Sequence, residues 1–173
     1  FNCLTHSILE AAKGEEASLC VSHPPYGPMV VYSGEVWGDA HPGDLSRAEN
    51  YEDFCSKMEL VLLNQREATM RGGHYGMLIG DYRKNGEYFS YQAELIARMP
   101  KSELAAVIIK AQHNTTSGRV NYSAMKCPRI LHEYAVLWKR AERITSWLGL
   151  LAHSLVTSQK RIASTWSVIV QHA

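Results

Sequence analysis

The sequence has no excess of either charge: 18 Lys+Arg face 17 Asp+Glu, a formal net charge of +1. That excludes a strongly basic nucleic-acid coat, though not a local basic patch. Long apolar runs are missing too. The longest, Leu104 to Ile109, falls far short of the roughly 18 residues a membrane span needs. There is no C-x-x-C pair. Cys3, Cys20, Cys55 and Cys127 are widely scattered, which gives a zinc site poor support and makes a disulfide framework a weak reading. Reduced thiols and a cytoplasmic location are expected instead. Phe1 opens without a basic segment followed by an apolar one, so no signal peptide is read. The chain starts without Met and in mid-pattern, which reads as a piece of a longer protein or one with trimmed ends.

What is present is ordinary globular material. The 173 residues are 46% apolar and 20% charged, enough for one domain with a small appendage. Ala17 to Ser22 reads as a short strand stopped by Pro24 and Pro25, which cannot donate to a ladder. Pro28 to Gly43 reads as a long ordered loop, and a loop of that length inside a compact domain is usually functional. Ser46 to Met70 carries Tyr51, Phe54, Cys55, Met58, Val61, Leu62 and Gln65 at helical spacing. Asn50 is its expected N-cap, Glu52 and Asp53 suit its first turn, and Gly72-Gly73 its end. His74 to Asp81 reads as a buried strand and Asn85-Gly86 as a hairpin turn. Ser90 to Met99 is expected to be a helix with Ala93, Ile96 and Ala97 on one face, closed by Pro100. Leu104 to Lys110 and Tyr134 to Trp138 complete the strands. The alternation predicts an α/β domain with a largely parallel sheet, the first two strands adjacent and parallel across their helix.

Beyond Arg140 the pattern turns wholly helical. Ile144, Trp147, Leu148, Leu151 and Leu155 form one stripe, and a further helix begins near Thr165. The expected division is 1–140 and 141–173, the second a helical tail or the start of a further domain. Its apolar faces, with Trp147 and Trp166, call for a partner chain or a missing domain.

In open α/β sheets, sites form beyond the carboxyl ends of strands. Four such ends carry unusual residues here: His23-Pro24-Pro25-Tyr26, Asp81 with Arg83, Lys110 to Asn114, and Lys139-Arg140. The first is the sharpest. Two prolines remove backbone donors and stiffen the turn, while an aromatic ring offers a face for a base. A polar side chain there accepts a hydrogen bond from an exocyclic amino group. The structural alternatives are a plain strand cap at His23, a turn-former at Asp81, and a solvated charged loop at Arg119, Lys126 and Arg129.

H-P-P-Y resembles the D/N/S-P-P-Y motif of the amino-group DNA methyltransferases. The surroundings follow the same order: H-P-G-D-L-S, the long helix, G-G-H-Y-G-M-L-I-G-D-Y-R, K-A-Q-H-N and H-E-Y-A-V-L-W-K-R, from about Ala17 to Arg140. The resemblance implies a Rossmann-like, S-adenosylmethionine-dependent methyltransferase sheet, partial in this chain. It implies methylation of the amino group of adenine or cytosine in DNA, without a covalent intermediate or a metal. His23, Pro24, Pro25 and Tyr26 are then the catalytic tetrapeptide, with Tyr26 stacking on a flipped base. Asp81, Arg83, Lys110, His113, Asn114, Arg119, Tyr122, Lys126 and Arg129 face nucleic acid. Two departures stand out: His23 replaces Asp, Asn or Ser, and the F-x-G-x-G cofactor motif is absent. The rivals are a non-catalytic nucleic-acid-binding subunit on the same fold, and a methyltransferase acting on RNA or on a protein glutamine.

Overall fold

The computed structural model describes residues 1–112 and 127–141. All of these except Ala141 belong to a compact unit that runs from Phe1 to Arg140. The expected tail helices, with Trp147 and Trp166, lie outside the described residues.

The central helix forms as its sequence dictates. Helix α2 (Tyr51–Ala68) is preceded by a short α1 (Ile8–Ala11). Asn50 caps it, its side-chain oxygen accepting from the Asp53 backbone N–H at 2.9 Å, with Glu52 and Asp53 in the first turn. Phe54, Cys55, Met58, Val61, Leu62 and Gln65 are all buried, the face the periodicity marked. Burial pushes the Cys55 thiol up to about 12, which makes it packing material rather than a nucleophile.

Strands β1 (Ala17–Ser22) and β2 (Thr69–Ile79) pair in parallel on either side of α2 in the sequence. Strand β6 (His132–Lys139), the last among the described residues, then lies between β2 and β5 (Leu104–Ala111), giving the order β1-β2-β6-β5. All four expected strands share one sheet. Both ladders of β6 are antiparallel, however, so one of three ladders is parallel and the sheet is mixed rather than largely parallel. The physical reason is the connection. Only a parallel pair requires a crossover, and the sequence between β5 and β6 offers a polar loop and no helical periodicity.

One face of the sheet carries Tyr75, Met77 and Ile79 opposite Trp138, Val136 and Tyr134. All but Tyr134 are fully buried, and they form one cluster with the inner face of α2. The opposite face is open at its margins, where Leu19, Val21 and Ile108 are exposed.

One local expectation is corrected. Gly72-Gly73 does not end α2, which gives way to strand at Thr69. The glycines lie inside β2, where Ala17 pairs with Thr69 but Leu19 pairs with His74. That bulge needs them: Gly72 has φ +75°, and a Cβ on Gly73 would sit 2.9 Å from the Ser18 carbonyl oxygen. In helix α3 (Tyr91–Arg98) the buried side chains are Tyr91 and Leu95, while Ala93 and Ala97 are exposed. The large residues i and i+4 took the inner face because the core had volume for a ring: Tyr91 packs against Phe54 at 4.5 Å between centroids. Asn85-Gly86 does turn the hairpin of β3 (Tyr82–Lys84) and β4 (Glu87–Phe89), both residues at positive φ, as a two-residue primed turn requires.

Candidate functional site

The carboxyl ends of β1 and β2 and the start of β6 come together, because β6 runs antiparallel to β2. Here β1 ends at Ser22 and the chain enters His23-Pro24-Pro25-Tyr26. Pro24 is buried and His23 exposed. Gly27 then turns the chain at φ +57°, so tightly over Tyr91 that a Cβ would lie 2.0 Å from the Tyr91 hydroxyl oxygen. The working motif is thus five residues long, and its glycine is a steric requirement.

Three side chains form a hydrogen-bonded line. The Tyr26 hydroxyl donates to Glu133 Oε1 at 2.7 Å. His23 Nε2 stands 2.8 Å from the same hydroxyl oxygen. A phenol has one hydrogen, and the ionised carboxylate can only accept. Tyr26 therefore gives its proton to Glu133 and accepts from His23 Nε2–H. This assigns the tautomer from the network: in neutral His23 the Nδ1 lone pair is left for a ligand.

Glu133 is 7% exposed and has further donors. Lys110 Nζ reaches Oε2 at 2.6 Å and Gln112 Nε2 reaches Oε1 at 2.7 Å. Burial alone would raise its carboxyl. The hydrogen bonds from Lys110, Tyr26 and Gln112 outweigh that, and the net direction is down. Burial, then Glu133, pushes the Tyr26 phenol up, which keeps it protonated and donating. Glu133 was not among the expected site residues, and Gln112 was named only as part of the strand end Lys110 to Asn114. The signal was there: an acid inside the strand pattern H-E-Y-A-V-L-W and a glutamine just past a strand end, both placed where solvent gives way to core.

His23 and Pro25 also line a cleft of about 370 Å³ together with Tyr32, Ser33, Trp37 and Asp44. Tyr26 does not line it. Its ring lies against Gly80, where a Cβ would be 2.7 Å from Cε2. Backbone thus lies against one side of the Tyr26 ring, and its hydroxyl has two partners.

The remaining expected residues divide. Lys110 joins the cluster. Asp81 is 2% exposed and accepts from the Tyr88 hydroxyl at 2.7 Å. The Arg83 guanidinium carbon lies 5.2 Å from the Tyr88 ring centroid, and its Nη1 donates to the Pro128 carbonyl. Asp81 and Arg83 thus both hold Tyr88 of the β3–β4 hairpin. Arg129 is half-buried. His113, Asn114, Arg119, Tyr122 and Lys126 lie outside the described residues.

No family model matches the chain, and no curated protein sequence matches it. Solved structures do. A protein assigned as a DNA modification methylase from Thermus thermophilus is 21% identical, with a TM-score of 0.50 over 82% of this chain and 54% of that one. A structure of that methylase complexed with S-adenosyl-L-methionine gives 23% identity and a TM-score of 0.50 over 78% and 53%. The PvuII DNA methyltransferase, cytosine-N4-specific, is 14% identical, with a TM-score of 0.54 over 79% of this chain and 48% of that one. The chain spans about half the length of these structures. Its mixed α/β sheet is similar in fold to these methyltransferases. These neighbours in fold are DNA methylases.

Proposed function

We propose that this chain is the amino-group-recognising part of a DNA methyltransferase that uses S-adenosylmethionine and acts on the exocyclic nitrogen of adenine or cytosine. The observation that carries the reading is the His23–Tyr26–Glu133 line at the carboxyl ends of the strands. An amino nitrogen is a poor nucleophile because its lone pair is delocalised into the base. An acceptor on one of its hydrogens favours the form in which that lone pair is localised. His23 Nδ1 is such an acceptor, and the proton the nitrogen gives up on methylation passes to it. Glu133, through Tyr26, faces the charge that then appears on the imidazole. The rigid Pro24-Pro25 turn fixes the ring's position. The substitution of His for the family's Asp, Asn or Ser is accommodated because Tyr26 and Glu133 set its tautomer.

S-adenosylmethionine supplies the methyl group in this reading. The described residues fit the accepting side of that chemistry and not the cofactor itself. Asp44, the carboxylate lining the cleft, already accepts four hydrogen bonds, and the F-x-G-x-G motif is absent from the sequence. That observation favours a second reading, a nucleic-acid-binding subunit whose cofactor half lies on another chain or segment.

The test is transfer of radiolabelled methyl from S-adenosylmethionine to duplex DNA, with RNA and a glutamine peptide as parallel acceptors. Label in DNA amino groups that disappears in His23→Ala is the expected result. DNA binding without any transfer supports the subunit reading, and label confined to RNA or peptide overturns the proposed substrate.

A further inference from the structure

The cleft beside His23 holds an aromatic pair with no task so far. Tyr32 and Trp37 stack with centroids 4.9 Å apart and planes 19° from parallel. Trp37 is 66% exposed, an unfavourable position for an indole unless something covers it. The loop beneath is braced rather than loose. Asp44 Oδ2 accepts from the Ser33 backbone N–H and hydroxyl, both at 2.7 Å. Asp44 Oδ1 accepts from the Ser46 N–H at 2.9 Å and hydroxyl at 2.7 Å. Arg47 Nε donates to the Ser33 carbonyl at 2.6 Å. The N–H groups of Val36 and Trp37 both donate to the Tyr32 carbonyl, at 2.9 and 2.8 Å, which folds the chain back so that one ring lies over the other.

An exposed ring on a mobile loop is common. Here the ring is fixed by its own loop, backed by a second ring, and set in the same cleft as His23 and Pro25. Gly80 lies against one side of the Tyr26 ring, and Tyr26 is not among the residues lining this cleft. Resting on the reading of this site as one that holds a base by its amino group, we propose that Trp37, backed by Tyr32, is the stacking surface for an unpaired nucleobase. His23 meets the edge of the base and Trp37 its face. Every base has such a face, so Trp37 contributes affinity without choosing among bases. It is a binding residue and moves no proton.

The probe is a short fluorescein-labelled single-stranded deoxyoligonucleotide, compared by anisotropy with an abasic strand carrying the same phosphates. Trp37→Ala should weaken binding of the base-bearing strand about 5- to 150-fold and leave the abasic strand unaffected. Trp37→Phe should retain most of the affinity. Matching thermal unfolding of the wild type and both variants establishes that the fold is kept. Equal affinity of wild type and Trp37→Ala for the base-bearing strand overturns the proposal, as does an equal loss on both strands or a wild type that does not distinguish them. The two readings fail separately. A base-dependent Trp37 effect without methyl transfer removes the enzyme and keeps the platform. Transfer abolished in His23→Ala with no Trp37 effect removes the platform and keeps the enzyme.

Discussion

Glu103 and Glu133 each accept a tyrosine hydroxyl at 2.7 Å, from Tyr75 and Tyr26 respectively, and each also binds a cationic side chain. They sit at opposite ends of the sheet. Glu103 precedes β5, while Glu133 opens β6 beside the end of β5. Around Glu103 everything is enclosed: Arg66 donates through Nε and Nη2 at 2.7 and 2.6 Å, and the guanidinium is nearly as buried as the acid. Around Glu133 the cation is Lys110, whose side chain is 57% exposed, and the tyrosine's other partner is the exposed imidazole of His23. The same pairing chemistry thus closes one end of the sheet and opens the other. A planar fork saturates a carboxylate, whereas a flexible lysine and a relayed phenol leave one member facing a cleft.

The largest expected effect separates the two ends by stability. Arg66→Ala strands a buried carboxylate and should cost about 3–5 kcal/mol. Lys110→Ala breaks a pair already half in water and should cost less than about 1 kcal/mol. Urea unfolding of both variants measures this. Equal losses would mean that the Glu133 cluster is as much a structural brace as its counterpart.

A second test breaks the open cluster without touching its members. Gly80→Ala places a methyl group 2.7–2.8 Å from the Tyr26 ring, so the ring must move. Overpacking of this kind costs about 1–3 kcal/mol, but a displaced reacting group costs on the order of 100-fold in rate. Methyl transfer should therefore fall far more than stability. A rate loss no larger than the folded fraction explains would show that Tyr26 does not position His23.

Much of this was legible in the sequence. The helix from Tyr51 announced its cap, its acidic first turn and its buried stripe. The strand ends pointed to His23 and Lys110, and Asn85-Gly86 to the hairpin. What was not legible depends on cross-strand neighbours. Glu133 and Tyr26 are 107 residues apart in sequence, and no local pattern joins them. Gly80 reads as one glycine among several until a ring is found against it. Asp81 and Arg83 read as a site because they follow a strand, and their shared contact with Tyr88, across the hairpin that starts at Tyr82, shows in no local pattern.

The third prediction concerns the proton on His23. With Tyr26 donating to Glu133, nitrogen-15 spectra of neutral His23 should show the Nε2–H form. Glu133→Ala frees the phenol to donate to Nε2, and the population should move toward Nδ1–H, which blocks the nitrogen needed for an amino hydrogen. Tyr26→Phe should leave a mixture. The corresponding variant at the closed end, Tyr75→Phe, should leave the His23 spectrum unchanged. An Nδ1–H form in the wild type would overturn the direction assigned to the whole line.

The smallest effect comes from a third carboxylate, built with hydroxyl and amide donors alone. Burial would raise the Asp44 carboxyl. The hydrogen bonds from Ser33 and Ser46 outweigh it and lower the group from the ordinary 3.8 to about 2. A carboxyl lowered by folding stabilises the folded form fully above its ordinary value and loses that contribution as pH falls toward the lowered one. The loop carrying Trp37 should therefore hold down to about pH 3.8 and loosen between there and about pH 2. Trp37 is the exposed indole of the cleft, so the emission difference between wild type and Trp37→Phe follows this locally. Asp44→Asn keeps the size but removes the charge that draws in four donors, so its loop should already be loosened at neutral pH and show no such acid step. Glu133 is also lowered, with a cation among its partners, so added salt should weaken its Lys110 contact while leaving the Asp44 step in place. A salt-sensitive Asp44 step would show that the loop is held by net charge, and the contrast between paired and hydroxyl-bound carboxylates would then fail.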